Sequence, residues 1–132
     1  MNQIIFTASK EVQEIKDAAL LNKHCLVVEI DGKKYPTYND YIRYMEKRLS
    51  FPRPCEEIWE RYDDWMTDLS WLSYTEYVFI VEHYNDFLGN DADGKQCFYE
   101  SFEKQILPWW ESEVVDHMTE GHPVKMNVYL VP

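Results

Sequence analysis

The chain predicts an α/β fold with a small parallel sheet packed by helices, on three observations. The runs CLVVEI (25–30) and YVFIVE (77–82) are apolar almost throughout, as strands covered on both faces are. A third run, KMNVYLV (125–131), reads as a final strand. Between the runs, apolar residues recur at helical spacing. Strands separated by helices need crossover connections, which implies parallel pairing with helices on the sheet. The expected order is an N-terminal segment, then β, α, α, β, α, β, with three strands in the sheet.

Taken in order, QIIFT (3–7) has the makings of a short strand, and Ser9 of an N-cap for a helix to about Leu21, with Val12, Ile15, Ala19 and Leu20 at helical spacing. Strand 25–30 closes on a turn at Asp31-Gly32. Thr37 then caps a helix over 38–49, with Tyr38, Tyr41, Ile42, Met45 and Leu49 facing inward. Pro52 and Pro54 end that helix and stiffen the approach to the next. That next helix is predicted over 53–69, and Trp71 and Leu72 lead from it towards strand 77–82. A polar loop (85–95) precedes a helix over 96–115 with Phe98, Phe102, Ile106 and Trp109 inward and a kink or break at Pro108. The turn 120–123 leads into strand 125–131.

The length of 132 residues fits a single domain able to bury a sizeable core. Ten tyrosines and five tryptophans support a packed interior, with some left for a contact surface. The net charge of −11 repels nucleic-acid phosphates and attracts a basic protein. Cys25, Cys55 and Cys97 are odd in number and widely spaced, which fits reduced thiols. The N-terminus lacks the pattern of a signal peptide, and no run has the length of a membrane span. The expectation is a cytoplasmic protein.

Residues 53–69, RPCEEIWERYDDWMTDL, have two unlike faces. At about 100° per residue, Ile58, Trp59, Tyr62, Trp65, Met66 and Leu69 fall in one sector. Glu56, Glu57, Glu60, Asp63, Asp64 and Asp68 gather on the other side, with only Arg53 and Arg61 nearby to offset them. The first face can anchor to a core; the second is either a solvated face or a contact face.

Chemistry by this chain has little support. Cys25 and Cys97 lie in or beside apolar patterns, and Cys55 adjoins carboxylates that oppose a thiolate. Nucleophile, phosphate-loop and dinucleotide motifs are absent, and four glycines leave little for a phosphate-binding loop. Glu60 and Asp64 offer an acid–base pair, a weak signal on a helix crowded with carboxylates. Asp116, His117, Glu120 and His122 read as a polar helix end. The loop 89–100 places Asp91, Asp93, Gly94 and Glu100 at calcium-loop positions, but Gly89 has no side-chain ligand, so a turn with a capping carboxylate is the better reading. No catalytic residue, metal or cofactor is expected.

The sequence resembles the barstar family of small intracellular inhibitors of secreted bacterial ribonucleases. The resemblance runs from CLVVEIDG through the helix ending LSFP, EEIWERYDDWMTDL, YVFIVE and FYESFEKQ to MNVYLV, covering roughly 25–131. Residues 1–24 and the longer 108–123 region stand outside it. It implies a three-stranded parallel sheet packed by helices in one barstar-like domain, to which residues 1–24 add an extra N-terminal strand and helix segment. It also implies that the second helix and the loop before it enter a nuclease active site, where carboxylates take the place of substrate phosphates. On this resemblance Asp64 is the central carboxylate, Glu60 its neighbour one turn earlier, and Thr67 a contact threonine. Glu56 stands where the family has a glycine, Pro54 where it has a loop aromatic, and Asp63 where it has an aromatic beside the central carboxylate.

Independently, Glu60 and Asp64, four residues apart, share a helix side and can make charge-assisted hydrogen bonds to Arg, Lys or His of a phosphate-binding site. The expected partner-binding residues are Asp64, Glu60, Glu56, Asp63, Thr67, Pro54 and Glu57, the partner a basic ribonuclease or nuclease toxin, and the free protein a monomer. A barstar-like module with a non-nuclease partner and a small hydrolase using Glu60 and Asp64 are the alternatives.

Overall fold

A computed structural model describes residues 1–117 and 121–132. Its order is β1 (Gln3–Phe6), α1 (Val12–Ala19), β2 (Cys25–Asp31), α2 (Tyr38–Arg48), α3 (Trp59–Met66), β3 (Glu76–Glu82), α4 (Ala92–Glu100), α5 (Val114–His117) and β4 (Lys125–Leu130). Among the described residues the strands form one sheet in the order β1-β4-β3-β2, and every neighbouring pair is parallel. The mixed α/β fold with a parallel sheet is as expected, with a fourth strand added to the three.

The fourth strand comes from the N-terminus. Gln3–Phe6 pairs with Asn127–Leu130. The start of β1 is fixed by side chains that imitate ladder bonds: Asn2 donates to the Val124 carbonyl (2.9 Å) and accepts from the Met126 N–H (2.9 Å). The Gln3 N–H donates to the carboxamide of Asn127, a polar group otherwise costly to bury (3.1 Å). Ser9 does not cap a helix with its side chain; it opens a 3-10 turn (Ser9–Glu11) that leads into α1.

Strand β3 is covered on both faces, as its apolar run predicts. Tyr77, Phe79 and Val81 join the large core with Val28, Ile30, Met126, Val128 and Leu130, under α2, α3 and α4. Val78 and Ile80 pack on the opposite face with Val12 and Ala19 of α1. The outer edge of β2 is blunted by α2: Tyr44 donates to the Glu29 carbonyl (2.5 Å) and Arg48 to that of Val27 (2.9 Å). Gly32 follows in a 3-10 turn, where a Cβ would run into the carbonyl oxygens of Glu82 and His83.

Helix α2 begins as expected, with the Thr37 hydroxyl accepting from Asp40 N–H (3.2 Å). It ends in a Schellman motif, Ser50 N–H to Lys47 and Phe51 N–H to Glu46, with Ser50 at φ 52°. Helix α4 starts at Ala92, earlier than predicted, because Asp91 caps it through Gly94 N–H (2.8 Å). Its other carboxylate oxygen accepts from Tyr38 N–H (3.0 Å) and so joins the starts of α2 and α4.

The predicted break at Pro108 is replaced by a change of winding. π-helical segments Ser101–Ile106 and Trp109–Glu113 flank Leu107 and Pro108, and the segment runs on into α5. Because a π turn takes in an extra residue, Phe98, Phe102, Ile106, Trp110 and Val114 hold one buried stripe at a spacing of four. Trp110, not the predicted Trp109, is therefore the more buried, and its indole donates to the Met66 carbonyl (2.8 Å). Glu120 of the Asp116–His122 group lies outside the described residues, as do the side chains of Asp116 and His117.

Candidate functional site, the acidic helix and the loop before it

The helix predicted over 53–69 is observed only over Trp59–Met66. The stretch before it has Pro52 and Pro54, which cannot donate helix bonds, and the residue before the helix, Ile58, has no capping side chain. The loop is instead pinned at Cys55, which is fully buried and whose N–H donates to Glu46 (2.5 Å). Ile58 N–H closes a turn on the Cys55 carbonyl (3.0 Å), and Glu56 and Glu57 take left-handed conformations at φ 54° and 64°. Glu56 thus adopts a backbone that favours glycine, the residue type the resemblance puts there. Ile58, expected on the inward face, is 40% exposed.

Helix α3 is anchored by aromatic side chains to α2 and by Asp63 and Met66 to the long helical segment. Tyr62 is fully buried, with its hydroxyl 2.6 Å from that of Tyr41 and its ring edge-on to Tyr38 and Tyr41. Trp59 donates to Asn39 (2.8 Å) and meets Tyr38 edge-on. Trp65 packs on Phe51 and Trp71, whose indole donates to the Leu49 carbonyl (2.8 Å). Trp59 and Trp65 are only half-buried, so each also borders the outer surface. Trp59, Tyr62 and Trp65, expected to hold the helix to the sheet, pack instead on side chains of α2 and on Phe51 and Trp71.

The expected contact residues divide into three groups. Glu60 and Asp64 are exposed, and among the described residues neither carboxylate has a hydrogen-bond or ion-pair partner. They form a ridge between two concavities. One, of ≈ 480 Å³, is lined by Arg53, Pro54, Glu56, Arg61, Asp64, Trp65 and Asp68. The other, of ≈ 260 Å³, takes in Trp59, Glu60 and Asp63 with Glu100, Ser101 and Lys104 of the long helical segment. Glu60 and Asp64 therefore do not face each other across one cleft, the arrangement an acid–base pair requires.

Glu56 and Glu57 lie off the helix and are paired, Glu56 with Arg61 (3.2 Å) and Glu57 with Arg43 (3.4 Å). Pro54 is exposed beside them. Asp63 turns inward, where its carboxylate accepts from the Ser101 hydroxyl. Burial pushes its carboxyl up from the ordinary value, Ser101 opposes this, and the nearby charges of Asp64 and Glu60 add to it. Thr67 is half-buried at the C-cap, donating to the Asp63 carbonyl (2.9 Å). Asp63 and Thr67 are thus tied into the fold. Sequence reasoning missed the place of Arg61 and Asp68 in the concavity beside Asp64, since a continuous helix does not bring Glu56 to Arg61.

Other candidate chemistry resolves into structure. Burial, with Glu46 adding to it, pushes the Cys55 thiol up to about 12, and burial raises Cys25 to about 11. It is Cys55 that lies fully in the core, whereas Cys25 and Cys97 are half-buried against it. Asp91, considered as a calcium ligand, has both oxygens committed to backbone N–H groups. Among the described residues no group of three His, Cys, Asp or Glu side chains is placed to hold a metal, and no helix is long and apolar enough to cross a membrane.

A parallel α/β scaffold that carries a short acidic helix outside an aromatic interior defines the class of this protein. Within that class the chain belongs to the barstar family: the family model described as Barstar (barnase inhibitor) matches residues 25–125. No curated protein and no solved structure matches the chain. The family match begins with β2, so β1 and α1 lie outside it.

Proposed function

We propose that this protein is an inhibitor, an immunity protein of the toxin–antitoxin kind, that binds and blocks the basic active site of a ribonuclease or related nuclease toxin. The observation that carries the reading is the ridge of Glu60 and Asp64, two exposed carboxylates without partners among the described residues, on a helix fixed by Tyr62, Trp59 and Trp65. A rigid pair of this kind can accept charge-assisted hydrogen bonds from groups that otherwise hold phosphates. The wider acidic field speeds encounter in a salt-dependent way. Asp64 is the central contact and Glu60 the second, with Glu56, Glu57 and Pro54 at the margin and Asp63 and Thr67 supporting the helix from within. The chain performs no chemistry; residues 1–132 act as one domain, monomeric when free, in the bacterial cytoplasm.

The test is titration of ribonuclease activity with the wild-type protein and with Asp64→Ala. The wild type should inhibit stoichiometrically, and Asp64→Ala should weaken binding by about 2–5 kcal/mol, as truncating one partner of a buried charge pair does. Unchanged binding after Asp64→Ala and Glu60→Ala together would show that the contact face is wrong.

A further inference from the structure

We infer that the open seam between α1 and β4 is a docking groove for an extended, basic peptide segment of a protein partner, on the face of the sheet opposite α3. The inference stands apart from the inhibitory reading and leaves the acidic helix free. Four strands spaced about 4.8 Å apart are wider than one helix of about 10 Å, and among the described residues α1 is the helix that packs on this face. Towards β2 the seam is closed by an ion pair between Lys16 and Glu29. Towards β4 it opens into a concavity of ≈ 340 Å³, with Val78, Asn127 and Tyr129 of the sheet as its floor and Glu14, Ile15 and Ala18 of α1 as its wall.

Two observations define what fits. Asn127 is 8% exposed; its Oδ1 accepts from Gln3 N–H (3.1 Å), and its Nδ2 has no partner among the described residues. A buried donor left unpaired is costly, so the groove favours an occupant that brings an acceptor, as a peptide carbonyl does. Glu14, exposed on the rim, also has no hydrogen-bond or ion-pair partner among the described residues. The other carboxylates of the groove are already used, Glu11 by Thr7 and Glu76 by Asn22 (3.1 Å) and Lys125 (3.6 Å). The charge left over is therefore negative and lies at Glu14. An extended segment along the groove places a carbonyl on Asn127, an ammonium or guanidinium on Glu14, and small apolar side chains on Val78, Ile15 and Ala18. A simple cation lacks the acceptor, and an acidic segment meets Glu14 with like charge.

The probe is the blocked pentapeptide Gly-Ala-Lys-Ala-Gly, titrated at low salt into the full isotope-labelled chain and followed by NMR, with Gly-Ala-Glu-Ala-Gly as the control. The side-chain amide signals of Asn127 and the backbone N–H signals of Glu14 and Ile15 should shift saturably with the lysine peptide and stay in place with the glutamate peptide. Glu14→Gln should raise the Kd about two- to fivefold, and Asn127→Leu about three- to tenfold. Asn127→Leu also removes the acceptor for Gln3 N–H; should it fail to fold, Glu14→Gln and the wild-type Asn127 signals decide the matter. The groove is overturned by an equal response to both peptides, by shifts confined to α3, by a Kd that neither variant changes, or by no saturable shift at Asn127. Concentration-dependent shifts at Asn127 without peptide also overturn it, since they would make a second copy of the chain the occupant.

Discussion

The two flanks of α3 carry the same kind of residue and treat it in opposite ways. Towards the long helical segment, Asp63 is half-buried and bound to Ser101, and the Trp59 indole is bound to Asn39. Towards the loop 53–58, Arg61 pairs with Glu56 at the surface and Asp64 stands without a partner among the described residues. One flank spends its carboxylate on holding the helix, while the other leaves one available. Negative charge alone therefore does not mark a contact residue; what the fold has already used decides.

The largest effect should come from removing the support common to both flanks. Tyr62→Ala empties a fully buried aromatic site and leaves the Tyr41 hydroxyl without its partner, so chemical denaturation should show a loss of about 3–5 kcal/mol. Asp91→Ala comes next. It removes the cap of α4 and the acceptor for Tyr38 N–H, for a loss of about 1–2 kcal/mol by thermal unfolding. Glu56→Gly should stabilise the protein by about 1 kcal/mol or less, because it relieves a left-handed non-glycine residue at the cost of a weak surface ion pair.

The smallest effect is also the most specific to the inward flank. Because the folded protein holds Asp63 above its unfolded pKa, its contribution favours folding in acid and diminishes as pH rises through the raised value. Asp63→Asn should remove that part of the pH dependence, so that the difference in stability between variant and wild type moves in favour of the variant from acid to neutral pH. Unfolding curves recorded across that range provide the check, and a difference constant with pH would show that burial does not hold the Asp63 carboxyl above its unfolded value.

Most of the scaffold was legible because burial on both faces leaves a direct signature. The apolar runs gave β2, β3 and β4, and Thr37 gave the start of α2. The sheet position of β1 was not legible, since a four-residue strand has little pattern of its own and its docking depends on Asn2 and Asn127, far apart in sequence. Helical periodicity also misplaced two features for one reason: it assumes constant winding. The π segments moved the inward position from Trp109 to Trp110, and the left-handed pair Glu56–Glu57 took 53–58 off the helix. In the site, the outward carboxylates at 60 and 64 could be read from spacing. The inward turn of Asp63 and the pairing of Glu56 with Arg61 depended on Ser101 and on the loop geometry, which spacing does not encode.

The contrast between flanks makes one comparison decisive. Asp63→Ala and Asp64→Ala differ by one position on the same helix, and ribonuclease binding and unfolding should be measured for both. The expected result is that Asp64→Ala loses binding with stability nearly unchanged, and that Asp63→Ala keeps most of its binding while its stability and its pH dependence change. Equal loss of binding in both variants, or loss confined to Asp63→Ala, would contradict it.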